Sequence, residues 1–180
     1  MPRYVAFLRG LNVGGHTIKM DRLKADFEAL DFQNVSTFIA SGNVIFETED
    51  TDEPALEARI DAHLKQSFGY EAACFLRSEA EMVRIAQHNP FPQVSAEEWG
   101  KPYVNFFRAP LPADQQQKVL ALASETDLAV LDGRELYFLP KASLLDSAFG
   151  TPLFTKAIGK TLTTNRNLNT IKRIVAKFAV

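Results

Sequence analysis

Residues 35–47 read Val-Ser-Thr-Phe-Ile-Ala-Ser-Gly-Asn-Val-Ile-Phe-Glu, and this stretch decides the fold. Apolar, β-branched and aromatic residues on both sides of Ser41-Gly42-Asn43 predict two strands, at 35–40 and 44–47. Glycine tolerates the positive φ that a tight turn requires. The segment is therefore predicted to be a β-hairpin.

The elements around this hairpin complete a βαββαβ order. Apolar spacing predicts a strand at 4–8 and a helix whose inner face carries Met20, Leu23, Phe27 and Leu30. After the hairpin, a helix from Pro54 ends at Gly69, and a strand follows at 70–77. Ser78 and Glu81 have capping-box spacing and predict one more helix, ending at Asn89-Pro90.

The second half of the chain repeats this order in outline, without evident sequence identity to the first. The predicted elements are a strand at 103–108, a helix at 112–125, strands at 128–131 and 135–139, a short helix at 143–149, and a final helix from about Asn165 with Thr164 as its N-cap. We predict an α+β protein of two ferredoxin-like modules, with antiparallel sheets and helices on one face. The predicted division is 1–88, a linker at 89–101, and a degenerate second module at 102–180.

Composition and charge narrow the classes of function. The net charge is −2, but residues 141–180 carry seven Lys or Arg and one acid, so an anion is expected to bind near this tail. A single cysteine, Cys74, allows no internal disulfide and favours a reducing cytoplasm. No apolar run approaches the ~18 residues of a membrane span. The three histidines have no ligand spacing, so neither a metal site nor a cofactor is predicted.

Two glycine-containing segments form the first candidate site. The ferredoxin-like topology brings the loop after the first strand to the same edge as the hairpin. The expected ligand-binding residues there are Arg9, Asn12, Gly14, Gly15, Ser41, Gly42 and Asn43. Glycines let backbone amides approach an anion, and arginine and asparagine add side-chain donors. The alternative is that the glycines only turn the chain and that Arg9 pairs with an acid.

The predicted last helix offers a second candidate. Arg166, Thr170, Arg173 and Lys177 are spaced by four, three and four, and a helix start with an arginine suits an anion. The alternative is an ordinary solvated helix face. Lys156 and Lys160 precede this helix in a predicted loop.

The motifs Arg9-Gly-Leu-Asn-Val-Gly-Gly15, Ser41-Gly-Asn-Val-Ile-Phe46 and Arg166-Asn-Leu-Asn-Thr170 resemble a bacterial family known only as DUF1697. The resemblance implies two ferredoxin-like subdomains and no established activity. It also implies that the loop, the hairpin and residues 166–170 act together, which adds Asn167 to the expected binding residues. Leu168 stands where the family usually has tryptophan, so aromatic stacking is not expected there.

Three classes of function follow from these residues. The first is a binding module for a phosphorylated or otherwise anionic ligand, either a nucleotide or nucleic acid. The second is a structural or assembly role through a homo-oligomer, although the sequence does not specify an oligomeric state. The third is an enzyme of unknown reaction using the same pocket, with Ser41, His16 or Asp21 handling protons.

Overall fold

The computed structural model describes residues 1–39 and 42–179, which divide into two compact units. Unit 1 begins at Met1, runs to Ile85 and includes the described residues from Ile174 onward. Unit 2 is Ala86–Arg173. In this division residues 86–101 lie in unit 2 and the described residues from 174 onward lie in unit 1, whereas the predicted boundaries are 1–88, 89–101 and 102–180.

Unit 1 has the predicted βαββαβ order, followed by one more helix. Its elements are β1 (Arg3–Arg9), α1 (Met20–Glu28), β2 (Gln33–Thr37), β3 (Asn43–Glu47), α2 (Glu53–Phe68), β4 (Ala73–Ser78) and α3 (Glu79–Gln87). The sheet order is β2-β3-β1-β4, with every neighbouring pair antiparallel. This is the ferredoxin-like arrangement that the element order predicts.

The core of unit 1 lies between one face of this sheet and helices α1 and α2. Leu23 and Phe27 of α1 and Ile60 of α2 are fully buried against alternate residues of the strands. The predicted caps are present. Gly69 ends α2 with φ +80°, and the Glu81 carboxylate accepts from Ser78 N at 2.8 Å. Local signals and apolar spacing therefore agree in this unit.

Unit 2 forms a second sheet with the same connectivity. Its elements are α4 (Ala96–Trp99), β5 (Tyr103–Phe106), α5 (Ala113–Leu120), β6 (Asp127–Asp132), β7 (Glu135–Pro140), α6 (Pro152–Ile158), β8 (Thr164–Asn167) and α7 (Leu168–Ala176). The antiparallel order is β6-β7-β5-β8, and α5 and α6 cover one face. The second module is thus a complete βαββαβ unit.

The last forty residues correct three predictions about helices. Thr164 does not cap a helix, because residues 164–167 form β8 and pair with β5. The final helix starts at Leu168, where the Asn167 side chain accepts from Thr170 N at 3.0 Å. The helix predicted at 143–149 is two 3₁₀ turns, at 144–146 and 148–150, and α6 occupies a stretch predicted as loop. Tertiary pairing outweighs local propensity here.

A short sequence repeat becomes visible once the strands are matched by position. β1 begins Tyr4-Val-Ala-Phe7 after Arg3, and β5 reads Tyr103-Val-Asn-Phe106. Tyr4 faces Phe46 across the sheet of unit 1, with ring centroids 5.9 Å apart, and Tyr103 faces Phe138 in unit 2, at 5.2 Å. The two units therefore repeat a cross-strand aromatic pair as well as an element order.

A candidate anion-binding loop

The loop that follows β1, residues 9–19, is the most exposed glycine-containing segment of unit 1. Leu11 and Ile18 are buried at its two ends, and residues 12–17 are exposed. At its tip, His16 N donates to Val13 O at 3.1 Å, which closes a turn. Gly14 and Gly15 at the centre of the turn have φ of +63° and +81°. Two successive positive φ values explain why both positions are glycine.

The glycine pair at this tip has an open surface. A side-chain carbon added at Gly15 would meet nothing within 4 Å, and one added at Gly14 would meet only the His16 ring, at 3.8 Å. Within residues 1–39 and 42–179, neither glycine amide donates a hydrogen bond. The tip therefore presents two adjacent N–H donors that no part of the described chain uses.

Three contacts hold the loop in place despite its exposure. Asn12 Oδ1 accepts from Ile18 N at 3.1 Å, and this bond closes the base of the loop. The Tyr70 hydroxyl donates to Leu11 O at 2.5 Å, and burial raises the pKa of that hydroxyl. The His16 ring stacks on Tyr70 with centroids 4.3 Å apart and an angle of 22° between the planes. The loop is therefore held at its base by Asn12 and near its tip by the stacking of His16 on Tyr70.

A row of stacked side chains extends from this loop along α2. Tyr70 stacks on Phe68 at 5.9 Å, and the Arg22 guanidinium lies 5.0 Å from the Phe68 ring centre. Arg22 Nη2 also donates to Ser67 O at 2.6 Å. His16 is the exposed end of this row. Sequence reasoning placed Tyr70 inside a strand and missed its role, although an aromatic residue directly after a glycine helix cap was a usable signal.

The hairpin lies beside the loop. Gly42 O accepts from Leu8 N at 2.8 Å. A side-chain carbon at Gly42 would come within 2.9 Å of Leu11 Cδ1 and 3.2 Å of Leu8 Cβ, so a larger residue would have to displace Leu11, and the φ of +77° also favours glycine. Asn43 is fully buried, and its Nδ2 donates to Phe38 O at 2.9 Å, so this side chain holds the hairpin together. Ser41, a predicted binding residue and candidate proton-handling group, lies outside the described residues.

The predicted binding residues 166–170 belong to unit 2, where they pair with β5 and begin α7. Arg166 is 8% exposed; its Nη1 donates to Thr164 Oγ1 at 2.9 Å and to Asn165 O at 2.7 Å, and burial lowers its pKa to about 10. Asn167 caps α7. The predicted helical stripe is wrong, because Arg166 lies on β8 and Lys177 lies in a 3₁₀ turn after α7.

The remaining candidate side chains have structural contacts. His63 Nε2 lies 3.0 Å from Asp26 Oδ1, and Cys74 is fully buried in the core of unit 1. Within the described ranges, no three His, Cys, Asp or Glu side chains are grouped so that they could hold a metal ion. The same residues include no helix long and apolar enough to cross a membrane.

Comparison with known proteins places this chain in a family. It resembles the solved structure of the conserved bacterial protein SP0830 from Streptococcus pneumoniae, with a TM-score of 0.74, 19% sequence identity and 97% coverage of each chain. At that identity the likeness concerns the fold alone. No curated protein matches the chain. Residues 1–137 match the family described as "Protein of unknown function (DUF1697)". The chain therefore belongs to the DUF1697 family.

Proposed function

We propose that unit 1 is a binding module for a phosphorylated or otherwise anionic ligand, held by loop 9–19. The observation that carries the proposal is the pair of unused amides at Gly14 and Gly15, on an exposed tip where a side-chain carbon at Gly15 would meet nothing within 4 Å. Successive backbone N–H groups in turns form concave sites for anions. Such bonds to a charged oxygen are shorter and stronger than bonds between neutral groups.

The surroundings of the tip support an anion. Arg9, His16 and Lys19 are exposed along the loop, and Asn12 adds an amide nitrogen that the described residues leave unused. Because Asn12 and Tyr70 already fix the turn, binding would cost little loop ordering. A preorganised site retains more of its contact energy as affinity than a flexible one does.

The stacked row favours a nucleotide or a nucleic-acid end over a simple phosphate. His16 lies against Tyr70 on one side and is exposed, so a base can stack on its outer side. Stacking of a base on an aromatic side chain contributes about 1–3 kcal/mol. A phosphate at the Gly14–Gly15 amides and a base on His16 would use both features at once.

A thermal-shift titration tests this proposal. The proteins are wild type, Gly15→Ala and Arg9→Ala, each with pyrophosphate, a nucleoside triphosphate and the uncharged nucleoside. Gly133→Ala is the matched control for the glycine, because Gly133 also has positive φ, +59°, and an open side, with its nearest atom at 3.9 Å. Lys24→Ala controls for the lost charge, since Lys24 is an exposed cation on α1.

We expect the phosphorylated compounds to stabilise wild type and both controls. At about 100 times the dissociation constant the gain is about 2.7 kcal/mol, or roughly 5–10 °C in Tm. Gly15→Ala and Arg9→Ala are expected to lose most of this shift, because a methyl group covers the amides or the nearby charge is gone. Equal shifts in Gly15→Ala and Gly133→Ala would refute binding at the tip.

A further inference from the structure

Unit 2 contains a cleft of about 380 Å³ that the predicted site does not include. Three segments line it: the end of α3 with the turn after it, the chain from α4 into β5, and the first two turns of α7. The lining residues are Gln87, His88, Asn89, Pro90, Ala96, Gly100, Lys101, Pro102, Leu168, Asn169 and Lys172. The volume falls at the lower end of the range for small-molecule sites.

The charged side chains that line this cleft are all positive. Lys101, just before β5, and Lys172, on α7, contribute two cations from different segments of the wall, and no carboxylate is among the lining residues. Three other clefts on the described chain include carboxylates: Asp127 and Asp146 in one, Glu47 in another, and Asp31, Glu49 and Asp50 in a third. Two lysines without a carboxylate give a positive potential inside a concave surface, which attracts an anion.

The polar groups of the cleft are side chains rather than helix amides. Leu168 N donates to Pro102 O at 2.8 Å and Thr170 N donates to Asn167, so two amides at the start of α7 are already used. Gln87, Asn89 and Asn169 add three carboxamides to the wall, and each carries donors and an acceptor. Carboxamides suit hydroxyl groups, which also donate and accept.

His88 adds a further polar group to this wall. Its ring meets Tyr137 edge-on, with centroids 4.9 Å apart, so the imidazole has a fixed position. His88 Nε2 is shielded from solvent and has no hydrogen-bond partner among the residues that the structure describes. Because that nitrogen is closed to solvent, it does not serve as a ligand contact, and binding in the cleft depends on the lysines and carboxamides of the wall.

We propose that this lysine cleft of unit 2 binds a small organic phosphate with a hydroxyl-bearing body, such as a sugar phosphate. Lys101 and Lys172 hold the phosphate, since lysine serves as a point charge for phosphate groups. The carboxamides of Gln87, Asn89 and Asn169 hold the hydroxyls. This site is separate from loop 9–19 and requires neither Gly14 nor Gly15.

Calorimetric titration with glucose 6-phosphate, glucose and inorganic phosphate tests the inference on the full chain. The test variants are Lys101→Ala/Lys172→Ala and Asn169→Ala. The matched control is Lys156→Ala/Lys160→Ala, which removes two exposed lysines of the same unit that lie outside the cleft. Gly15→Ala distinguishes this cleft from the loop of unit 1. Far-UV circular dichroism shows that each variant folds.

We expect glucose 6-phosphate to bind wild type more tightly than either glucose or inorganic phosphate. The double variant at 101 and 172 is expected to lose about tenfold or more in affinity, the effect of ~1.4 kcal/mol. Asn169→Ala should weaken glucose 6-phosphate but leave inorganic phosphate unchanged, whereas the control pair and Gly15→Ala should leave both unchanged. No binding, equal loss in the two lysine pairs, or loss in Gly15→Ala alone would overturn the inference.

Discussion

The two units use the turn glycines of their matching hairpins in opposite ways. In unit 1, Gly42 before β3 packs so closely on Leu11 that an added methyl group would have to displace that side chain, and this contact joins the hairpin to loop 9–19. In unit 2, Arg134 occupies the position of Gly42, because its carbonyl accepts from Phe107 N as Gly42 O accepts from Leu8 N. The turn glycine there is Gly133, one residue earlier, and it is open, with its nearest atom at 3.9 Å. Both glycines have positive φ. The comparison shows that one fold can use a turn glycine either only for the positive φ it allows or also to let a neighbouring loop pack closely against the turn.

The cores of the two units are otherwise closely matched. Phe46 and Phe138 occupy equivalent strands, are fully buried and stack on Tyr4 and Tyr103. Phe46 has two further ring neighbours, Phe27 and Phe32, whereas Phe138 has Phe149. The units therefore share a structural core and differ at the loops around it.

The largest expected effect tests this shared core. Phe46→Ala and Phe138→Ala should each lower the free energy of unfolding by about 3–5 kcal/mol, because each leaves a large cavity. Phe46→Ala should cost at least as much as Phe138→Ala, since more rings surround it. Urea denaturation measures both. A loss below about 1 kcal/mol for either variant would show that its ring is not part of a tightly packed core.

The hairpin comparison predicts the next largest effect. Gly42→Ala should cost about 2–4 kcal/mol, because overpacking against Leu11 adds to the strain of a positive φ. Gly133→Ala should cost only about 1 kcal/mol, from strain alone. Thermal denaturation compares them directly. Equal losses would mean that the close contact at Gly42 has no energetic consequence.

A buried amide distinguishes the matched strands β1 and β5. Asn105 occupies the position of Ala6, is 2% exposed and has a buried Nδ2 without a hydrogen-bond partner among the described residues. A buried donor without a partner costs about 1–3 kcal/mol of desolvation, and removing it recovers that cost, which offsets the packing lost with the side chain. Asn105→Ala should therefore change stability by about 1 kcal/mol or less, and the reciprocal Ala6→Asn should cost more. A loss above about 2 kcal/mol in Asn105→Ala would indicate a stabilising role for the amide.

The smallest predicted effect concerns pH. Glu47 follows Phe46, at the position of Leu139 in unit 2; it accepts from Asn34 Nδ2 at 2.8 Å and from Arg3 Nε at 3.2 Å. These bonds, Asn34 first, lower the pKa of Glu47 despite partial burial. A lowered pKa stabilises the fold above the unfolded value, about 4.3, and this stability is lost as pH falls through the folded value.

Glu47→Gln measures that contribution. The variant should be less stable than wild type at pH 7, by under about 1 kcal/mol, and the difference should shrink below pH 4. Urea denaturation at pH 7 and pH 3 gives both values. A difference that does not change between the two pH values would show that the charge of Glu47 is not responsible. Leu139→Ala, at the matched position, should show no such pH dependence.

The two units also differ in how far sequence predicts them. The fold class and nearly every element of unit 1 follow from apolar spacing, glycine turns and caps such as Ser78 with Glu81. Strand β8 could not be predicted, because Thr-Asn-Arg-Asn has no apolar alternation and exists as a strand only through its pairing with β5. Mistaking this strand for a helix start misplaced Arg166 on a helical stripe.

The sequence predicts only part of the candidate site, because some of its contacts join residues that are far apart in the chain. The loop follows β1 and the hairpin leads into β3, and these two strands are neighbours in one sheet. Topology alone therefore brings Gly42 to Leu11. The His16–Tyr70 stack and the lysine cleft join residues distant in sequence, with no motif to connect them. Contacts of that kind depend on the packed structure rather than on local patterns.

The central claim, that the glycine tip of loop 9–19 binds an anion, is tested most directly by nuclear magnetic resonance. Pyrophosphate is titrated into ¹⁵N-labelled wild-type protein while the backbone amides of Gly14, Gly15 and Gly133 are followed. We predict saturable shifts at Gly14 and Gly15, because their unused N–H groups donate hydrogen bonds to the phosphate oxygens, and no shift at Gly133. Unchanged Gly14 and Gly15 resonances at saturating pyrophosphate would contradict the account.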